Sequence, residues 1–162
     1  MYSSTSCAIT HYLCNNPAAQ RKLQAELDEA LGDELVAPWA IIKSLPYLGA
    51  VINEGIRMFG PFSLGLPRDT PEGGLYVLGK YFPEGTVLSV PIYTIHLDPE
   101  IWGPDAEEFR PERWFELDQS RIPEIFYPFS HGPRSVEIRN RFVCTNWPDE
   151  NRIVGRVWQG IS

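Results

Sequence analysis

Glu54-Gly55-Ile56-Arg57 is the stretch of this 162-residue chain that most constrains its fold. Residues three apart lie on the same face of a helix, so Glu54 and Arg57 can present a carboxylate and a guanidinium together to a third charged group. By itself, an E-x-x-R sequence is typical of a solvent-facing helical ion pair, which contributes only about 0.2–0.5 kcal/mol. The rest of the chain decides between that interpretation and a buried charge network.

Two further motifs follow at a distance. The first is Phe109-Arg110-Pro111-Glu112-Arg113-Trp114, and the second is Phe129-Ser130-His131-Gly132-Pro133-Arg134. In order and spacing, the three motifs resemble the C-terminal part of a cytochrome P-450, the family of haem-thiolate monooxygenases. The resemblance implies a partial domain over residues 1–135. Its expected fold is α+β and mainly helical, with helices followed by a small mixed β-sheet and long ordered loops.

The resemblance also implies a partner for the first motif. Arg113 would join Glu54 and Arg57 in the family's charge triad, which holds the loops beneath the haem in register. In this interpretation the three side chains have a structural role and take no part in the chemistry. Removing one partner of a buried charge network costs on the order of 3–5 kcal/mol.

Local signals predict the helices of the N-terminal part. Proline is favoured at the first position of a helix and glycine just after the last, and apolar residues recur with helical spacing between them. Glu26 is predicted to lie on the solvated face of the second helix. The predicted helical segments are residues 6–12, Pro17 to Gly32, Pro38 to Leu45 as a short helix or turn, and Pro46 to about Phe59.

The middle of the chain is predicted to form strands and a pocket. Leu75 to Tyr81 and Thr86 to Val90 are typical of strands around a turn at Pro83-Glu84-Gly85. The resemblance implies that Phe62-Ser63-Leu64-Gly65-Leu66 forms a wall of the substrate pocket over the haem, whereas the pattern alone fits the core of an ordinary strand. Arg68 corresponds to the family position whose guanidinium binds a haem propionate. Without the resemblance it would be interpreted as a surface arginine.

The resemblance ends within the haem-binding loop, whose family pattern is F-x-x-G-x-R-x-C-x-G. Phe129 to Arg134 matches its beginning, which makes Arg134 a second candidate contact for a haem propionate. Val136 occupies the position of the cysteine thiolate that ligates the iron, and Ile138 occupies that of the following glycine. No metal ligand is therefore predicted. Residues 136–162 have no counterpart in the family and are predicted to be a disordered tail that arose by intron read-through or a frameshift.

Composition narrows the classes of partner and compartment. The net charge of −7 is spread without long runs of one sign, which argues against nucleic acid or an anionic membrane as the main partner. Cys7, Cys14 and Cys144 show no metal or disulfide spacing, which is typical of a reduced compartment. His96 has no spaced partner and is predicted to be a hydrogen-bonded structural residue. No run is apolar for the length of a membrane span, so the fragment itself is expected to be cytoplasmic.

The resemblance implies a function for the full-length family. Such an enzyme binds haem, takes electrons from a cytochrome reductase at the endoplasmic reticulum membrane, and inserts one oxygen atom from O2 into a small organic substrate. The run from Gly65 to His96 is similar to the fungal benzoate 4-monooxygenase and pisatin demethylase type, which suggests an aromatic or secondary-metabolite substrate. Because Val136 replaces the cysteine, the chain is predicted to be inactive and to lack haem. A non-catalytic truncated remnant or pseudogene product, and an independent binding module, stay open as alternatives.

The resemblance also implies that N-terminal segments of the full-length family precede this sequence. The family's membrane anchor and its oxygen-activating acid–alcohol pair would lie at or before the first residues, and Ser3, Ser4 and Thr5 do not reproduce that pair.

Overall fold

A computed structural model describes residues 2–32, 38–60 and 62–129 of the chain. Within these ranges the chain forms eight helices and four short strands. The elements are α1 (Tyr2–Asn15), α2 (Pro17–Leu31), α3 (Trp39–Ile42), α4 (Pro46–Met58), β1 (Arg68–Asp69), β2 (Leu75–Val77), β3 (Lys80–Phe82), β4 (Val87–Leu88), α5 (Ile92–His96), α6 (Pro99–Trp102), α7 (Arg113–Glu116) and α8 (Ile122–Ile125). The predicted mainly helical α+β fold is confirmed. The predictions for Arg134, Val136 and the tail 136–162 fall outside the described residues.

The first helices pack around a shared apolar core. Its buried members come from α1, α2, α3 and α4, and they are Leu13, Ala19, Leu23, Ile42, Leu48 and Val51. The predicted bounds of the second helix agree with the structure, since α2 begins at Pro17 and ends before Gly32. The predicted segment 6–12 is only part of the longer α1, and the predicted segment Pro38 to Leu45 contains the shorter α3. Gly32 has a φ of 52°, a conformation that glycine adopts without strain, and its N–H donates to the carbonyl of Asp28.

Glu26 corrects one prediction about these helices. It does not lie on a freely solvated face: it is half-buried, and its two carboxylate oxygens each accept a backbone hydrogen bond at 2.8 Å, from the N–H groups of Tyr47 and Leu48. These N–H groups belong to the first turn of α4 and have no partner within that helix. Because Leu45 supplies no capping side chain, a carboxylate from α2 caps α4 and complements its dipole.

Helix α4 carries the E-x-x-R motif, and α1 packs closely on it. Gly55 lies where the two helices meet, and a Cβ atom at this position would overlap Cγ1 of Ile9. Glycine therefore sets how closely α1 can approach. Phe59, the predicted end of this helix, lies one residue beyond the end of α4 and is 44% exposed.

The strand predictions need correction. The predicted strand Leu75 to Tyr81 is two strands, because the chain reverses at Leu78-Gly79 and β2 pairs with β3 in antiparallel register, Tyr76 opposite Tyr81. The predicted strand Thr86 to Val90 is reduced to β4, which pairs antiparallel with β1. The expected mixed sheet is thus absent from the described residues, where both pairings are antiparallel. The seven residues from Leu75 to Tyr81 contain no proline, and Gly79 is the one residue among them that signals a turn.

The turn between β2 and β3 contains a strained residue. Leu78 has a φ of 48° and Gly79 a φ of 77°, and a two-residue hairpin loop of type I′ requires positive φ at both positions. Leu78 is the one non-glycine residue with positive φ among the residues that the structure describes. A left-handed conformation costs an ordinary L-residue about 1–2 kcal/mol.

Leu78→Asn is therefore expected to stabilise the chain. Asparagine tolerates the left-handed region, so the free energy of unfolding should rise by about 1 kcal/mol. Urea unfolding of both chains at neutral pH measures this difference. A variant that is less stable than the wild type would show that the leucine side chain contributes contacts that outweigh the strain.

Candidate functional site

A buried carboxylate stands at the centre of the candidate site. Glu54, on α4, is fully buried, and its two oxygens accept five hydrogen bonds from described residues at 2.9–3.0 Å. The donors are Nε and Nη2 of Arg57, Nε of Arg113, Nε1 of Trp114 and the backbone N–H of Arg110. The structure thus brings together the three residues of the expected charge triad, and it shows a buried network in place of a solvent-facing pair.

The two buried arginines also bind the backbone of a distant segment. Arg57 donates from Nη1 to the carbonyl of His96 at 2.6 Å, and Arg113 donates from Nη2 to the carbonyl of Asp105 at 2.8 Å. Together the two guanidiniums reach the carbonyls of His96, Trp102, Asp105, Ala106 and Glu108. Irregular backbone that is buried must find hydrogen-bond partners, and here the arginines provide them. The network therefore fixes the loop 103–112 against α4.

Asp105 is a further member of the charge network. It was not predicted from the sequence. Glu54 carries one negative charge against the two positive charges of Arg57 and Arg113, which leaves a buried excess of one positive charge. Asp105 Oδ1 lies 3.3 Å from Arg113 Nη1, and its Oδ2 lies 2.6 Å from Arg110 Nε. Burial acts to raise the pKa of Asp105, but the two guanidiniums hold that pKa below its usual value. Because Asp105 lies in a loop, no helical or strand spacing pointed to it.

His96 lies beside the network in an aromatic enclosure. Its side chain is 1% exposed and contacts the rings of Trp102, Phe126 and Tyr127, with centroids 5.3–6.2 Å away. The backbone carbonyl of His96 accepts a hydrogen bond from Arg57, whereas its ring nitrogen Nε2 has no hydrogen-bond partner among the described residues. Burial and the charge of Arg57 lower the pKa of His96 to about 4. The ring is therefore neutral at physiological pH.

The pKa of His96 predicts a pH dependence of stability. The folded pKa is about 4 and the unfolded value is 6.5, so the unfolded state binds more protons between these pH values. Stability is expected to rise with pH across this window, by about 3 kcal/mol from this group. His96→Phe suits the aromatic enclosure and should remove that contribution. Urea unfolding at pH 4.5 and pH 7 measures it, and an equal difference between variant and wild type at both values would contradict the prediction.

A separate cleft of about 670 Å³ lies beside the small sheets. Most of its wall is apolar, and the charged side chains among its lining residues are Arg68, Asp69 and Glu124. Arg68 is exposed, and its Nη1 donates to the carbonyl of Pro67 at 2.9 Å. Its guanidinium makes no ion pair with any described acidic residue, so it can bind a carboxylate presented in the cleft. The full lining is Leu66, Arg68, Asp69, Thr70, Leu75, Leu88, Ser89, Val90, Ile92, Glu124 and Tyr127.

The expected pocket wall Phe62–Leu66 is only partly at this cleft. Leu66 lines the cleft, whereas Phe62 packs in a cluster with Phe129 and Leu64 is 86% exposed. Ser63 donates from Oγ to the carbonyl of Gly60. Gly65 has a φ of 79°, and a Cβ atom on this residue would overlap the backbone of Val90, which follows β4. The segment forms a turn followed by irregular chain, so the alternative of an ordinary strand core is wrong.

Comparison with known proteins defines the class to which this fold and network belong. The family model described as Cytochrome P450 matches residues 2–135. The chain therefore belongs to the cytochrome P450 family. The matched region contains Glu54, Arg57 and Arg113, and it ends one residue before Val136.

Individual relatives show how much of such a protein the chain represents. It is 44% identical over 145 residues to benzoate 4-monooxygenase bphA of Aspergillus niger, which covers 85% of this chain and 28% of the relative. It is 37% identical over 138 residues to lithocholate 6-beta-hydroxylase of Mesocricetus auratus, covering 83% and 27%. It is 36% identical over 145 residues to cytochrome P450 3A1 of Rattus norvegicus, covering 89% and 28%. The chain thus spans less than a third of these curated relatives.

The family implies haem, and the described residues fit only part of that group. Arg68 and the apolar cleft suit a carboxylate attached to a flat apolar body. Haem iron in this family requires a single thiolate donor from the protein. Cys7 and Cys14 are exposed on α1 and do not line the cleft. Val136, predicted to occupy the position of the family's thiolate, lies outside the described residues.

Proposed function

We propose that the chain is the C-terminal part of a haem-dependent monooxygenase. In its complete form, such an enzyme inserts one oxygen atom from O2 into an organic substrate with electrons from a cytochrome reductase. The observation that carries the proposal is the buried network of Glu54, Arg57 and Arg113, which fixes the loop 103–112 in a chain whose residues 2–135 match the family. In this role the network is structural, and it positions the segments that lead to the haem-binding loop.

The proposed ligand contacts lie at the cleft and just beyond the described residues. Arg68 would bind a haem propionate, since it lines the cleft and forms no ion pair with a described acid. Arg134 would bind the second propionate from the haem-binding loop. The segment Phe62–Leu66 would contribute to the substrate pocket through Leu66, the member that lines the cleft.

We further propose that the 162-residue chain itself does not activate oxygen. Haem iron in this family needs a cysteine thiolate, whose electron donation favours cleavage of the O–O bond. Val136 occupies that position in the sequence, and valine has no donor atom. Val136 also favours the second candidate function, in which the chain is a non-catalytic remnant that binds no haem.

The spectrum of the reduced, carbon-monoxide-bound chain tests this proposal. The purified chain is mixed with haem, reduced and exposed to carbon monoxide, and we expect no thiolate-type Soret band. Such a band would contradict the inactive form and would require another thiolate to reach the iron. A haem spectrum without thiolate character supports propionate binding through Arg68, and Arg68→Gln should then weaken haem uptake about tenfold. Absence of any haem spectrum supports the non-catalytic remnant.

The origin of the last residues has its own test. We propose that the tail 136–162 arises by intron read-through or a frameshift, because the family match stops at residue 135. Sequencing of the spliced transcript decides this point. A message that encodes Val136 and the residues after it in frame would contradict the proposed origin, whereas a downstream exon encoding the cysteine would support it.

We also propose a substrate class and a compartment for the complete enzyme. The identity with a benzoate 4-monooxygenase supports an aromatic substrate. The endoplasmic reticulum membrane is the proposed location of the complete protein, with the fragment itself in the cytoplasm. Among the helices of the described ranges, none combines the length and apolarity needed to cross a bilayer.

A further inference from the structure

Helix α1 carries two exposed cysteines on one face. Cys7 and Cys14 are free thiols, and they are the cysteines among the residues that the structure describes. Seven residues make two turns of a helix to within about 20°, so the two thiols lie on the same face. On the opposite side of α1, Thr5 is fully buried and Ile9 packs against the apolar core of the first helices. The face that carries the cysteines is therefore the outer one.

The spacing prevents the two thiols from forming a disulfide within one chain. A disulfide joins residues whose Cα atoms are about 4.4–6.8 Å apart. Residues seven apart on a helix are separated by about 10.5 Å along its axis, so an internal bond would require α1 to unwind. Oxidation of the folded helix must therefore join each thiol to another molecule.

The exposed face is symmetric about the midpoint between residues 10 and 11. Two helices that pack antiparallel about a twofold axis place residue i opposite residue j, and residue j opposite residue i. With this midpoint, residue 7 of one copy faces residue 14 of a second copy, residue 4 faces 17, and residue 10 faces 11. These six residues are all exposed: Ser4, Cys7, Thr10, His11, Cys14 and Pro17.

No like charges oppose contact between two such faces. The segment Tyr2–Asn15 contains no aspartate, glutamate, lysine or arginine, so the net charge of −7 lies elsewhere in the chain. Surface helices of globular proteins typically carry charged residues on the solvated face. The composition of α1 therefore suits contact with a second copy of the same face.

Small side chains on this face permit the close approach that a disulfide needs. Packed helices have axes about 8–10 Å apart and each Cα atom lies about 2.3 Å from its axis, so directly facing Cα atoms are about 3–5 Å apart. That range overlaps the separation of about 4.4–6.8 Å at which disulfides form. Ser4, Cys7, Thr10 and Cys14 have side chains only two atoms long beyond Cα, and the larger His11 faces Thr10.

We propose that α1 is an oxidation-responsive dimerisation site, where Cys7 of one copy and Cys14 of a second copy form a disulfide. The twofold axis generates two such bonds in each dimer. Each bond forms by exchange with a small disulfide such as oxidised glutathione. The thiolate of one copy displaces one glutathione thiol to give a mixed disulfide, and the thiolate of the second copy then displaces the other. Two electrons and the two thiol protons pass to glutathione, which leaves as two reduced molecules.

Single-cysteine variants of the full chain test the proposal. Every chain also carries Cys144→Ser, which removes the third cysteine of the sequence. The chain is incubated with oxidised glutathione, alkylated and separated on a non-reducing gel, and linked peptides are identified by mass spectrometry. With both thiols present, we expect a covalent dimer whose cross-link joins Cys7 to Cys14. Cys7→Ser or Cys14→Ser alone should lower the yield of dimer at least about tenfold, because each remaining thiol then faces a serine.

A mixture of the two single variants is the decisive measurement. Cys7→Ser supplies Cys14 and Cys14→Ser supplies Cys7, so the mixture should regain a covalent dimer with one cross-link. Random collision of exposed thiols predicts instead that each single variant dimerises as readily as the mixture. Equal yields, cross-links between two Cys7 residues, or no covalent dimer with both thiols present would each overturn the proposal.

A charge introduced on the face tests the contact without changing either thiol. His11→Glu places carboxylates of both copies at the centre of the proposed contact and should lower the yield of cross-link about tenfold. Gln24→Glu adds the same charge to an exposed position of α2, outside the face, and should leave the yield unchanged. Both variants should unfold at the same urea concentration as the reduced wild type. An unchanged yield for His11→Glu assigns the cross-link to random collision and contradicts the proposed face.

The haem proposal and the dimerisation site are tested independently. Neither Cys7 nor Cys14 lines the cleft beside Arg68, and no haem is added in the cross-linking experiment. A chain that fails to take up haem can therefore still form the dimer, and a chain that forms no dimer leaves the haem proposal unaffected.

Discussion

Glu54→Gln is expected to lower the free energy of unfolding by about 3–5 kcal/mol. The substitution preserves the volume of the side chain but removes the charge that two buried guanidiniums share. Arg57 would then lose its carboxylate partner and Arg113 would keep only Asp105, at 3.3 Å, in an interior where Glu54 is fully buried. Urea unfolding measures the loss. Since typical domains have a stability of only about 5–15 kcal/mol, the variant should be partly unfolded without denaturant.

An exposed acid on the loop 103–112, which the network binds, provides the control. Glu107 is exposed and forms no described hydrogen bond or ion pair with the network. Glu107→Gln removes the same charge and should change stability by no more than about 0.5 kcal/mol. If Glu54→Gln behaved like Glu107→Gln, the network would not fix the loop, and the structural role proposed for it would fail.

Gly55→Ala is expected to destabilise the chain by about 2 kcal/mol, even though alanine is the better helix former. The added Cβ atom would overlap Cγ1 of Ile9, so α1 has to move away from α4 or Ile9 has to leave its rotamer. Gly49 is the matched control on the same helix, because a Cβ atom there meets nothing within 4 Å. Gly49→Ala should stabilise the chain by about 0.5–1 kcal/mol. Urea unfolding should thus give opposite signs for the two substitutions.

A double-mutant cycle locates the cause. Ile9→Ala should create space for the new methyl group, so the double variant with Gly55→Ala should be more stable than the sum of the single changes predicts. Residues in direct contact show coupling of about 0.5–3 kcal/mol in such cycles. Additive effects would mean that the cost of Gly55→Ala arises elsewhere than in the contact between α1 and α4.

The predictions for Glu54→Gln and Gly55→Ala concern the same four-residue stretch, Glu54 to Arg57. Glu54 and Arg57 hold the loop 103–112, while Gly55, between them, sets the distance between α4 and α1. The motif thus fixes two neighbours on two sides of the same helix. Its requirement for glycine at this position is steric, because a β carbon would overlap the neighbouring helix.

Some elements were predictable because their signals are local. Pro17, Gly32 and Pro46 mark helix ends through constraints on their own backbone, and these boundaries agree with the structure. The hairpin of β2 and β3 was missed because an apolar run suits one strand as well as two. Only the positive φ of Leu78 with Gly79 reveals the turn, and leucine gives no warning of it.

Other features depend on residues that are distant along the chain. The cap that Glu26 provides for α4 comes from another helix, so the sequence around Leu45 shows no capping residue. Asp105 balances the charge of Arg113 from within an irregular loop that has no spacing rule. The predicted meeting of Arg113 with Glu54 came from resemblance, since periodicity relates only residues on the same element.

The sequence by itself determined the helical framework and the family, because each of these depends on local patterns or on residue identity. Tertiary structure alone decided that Glu54 is fully buried, that His96 keeps a neutral ring and that the hairpin presents Leu78 to solvent. Burial and charge pairing depend on which distant segments pack together. That packing is set by the sum of many weak contacts, which no single stretch of sequence displays.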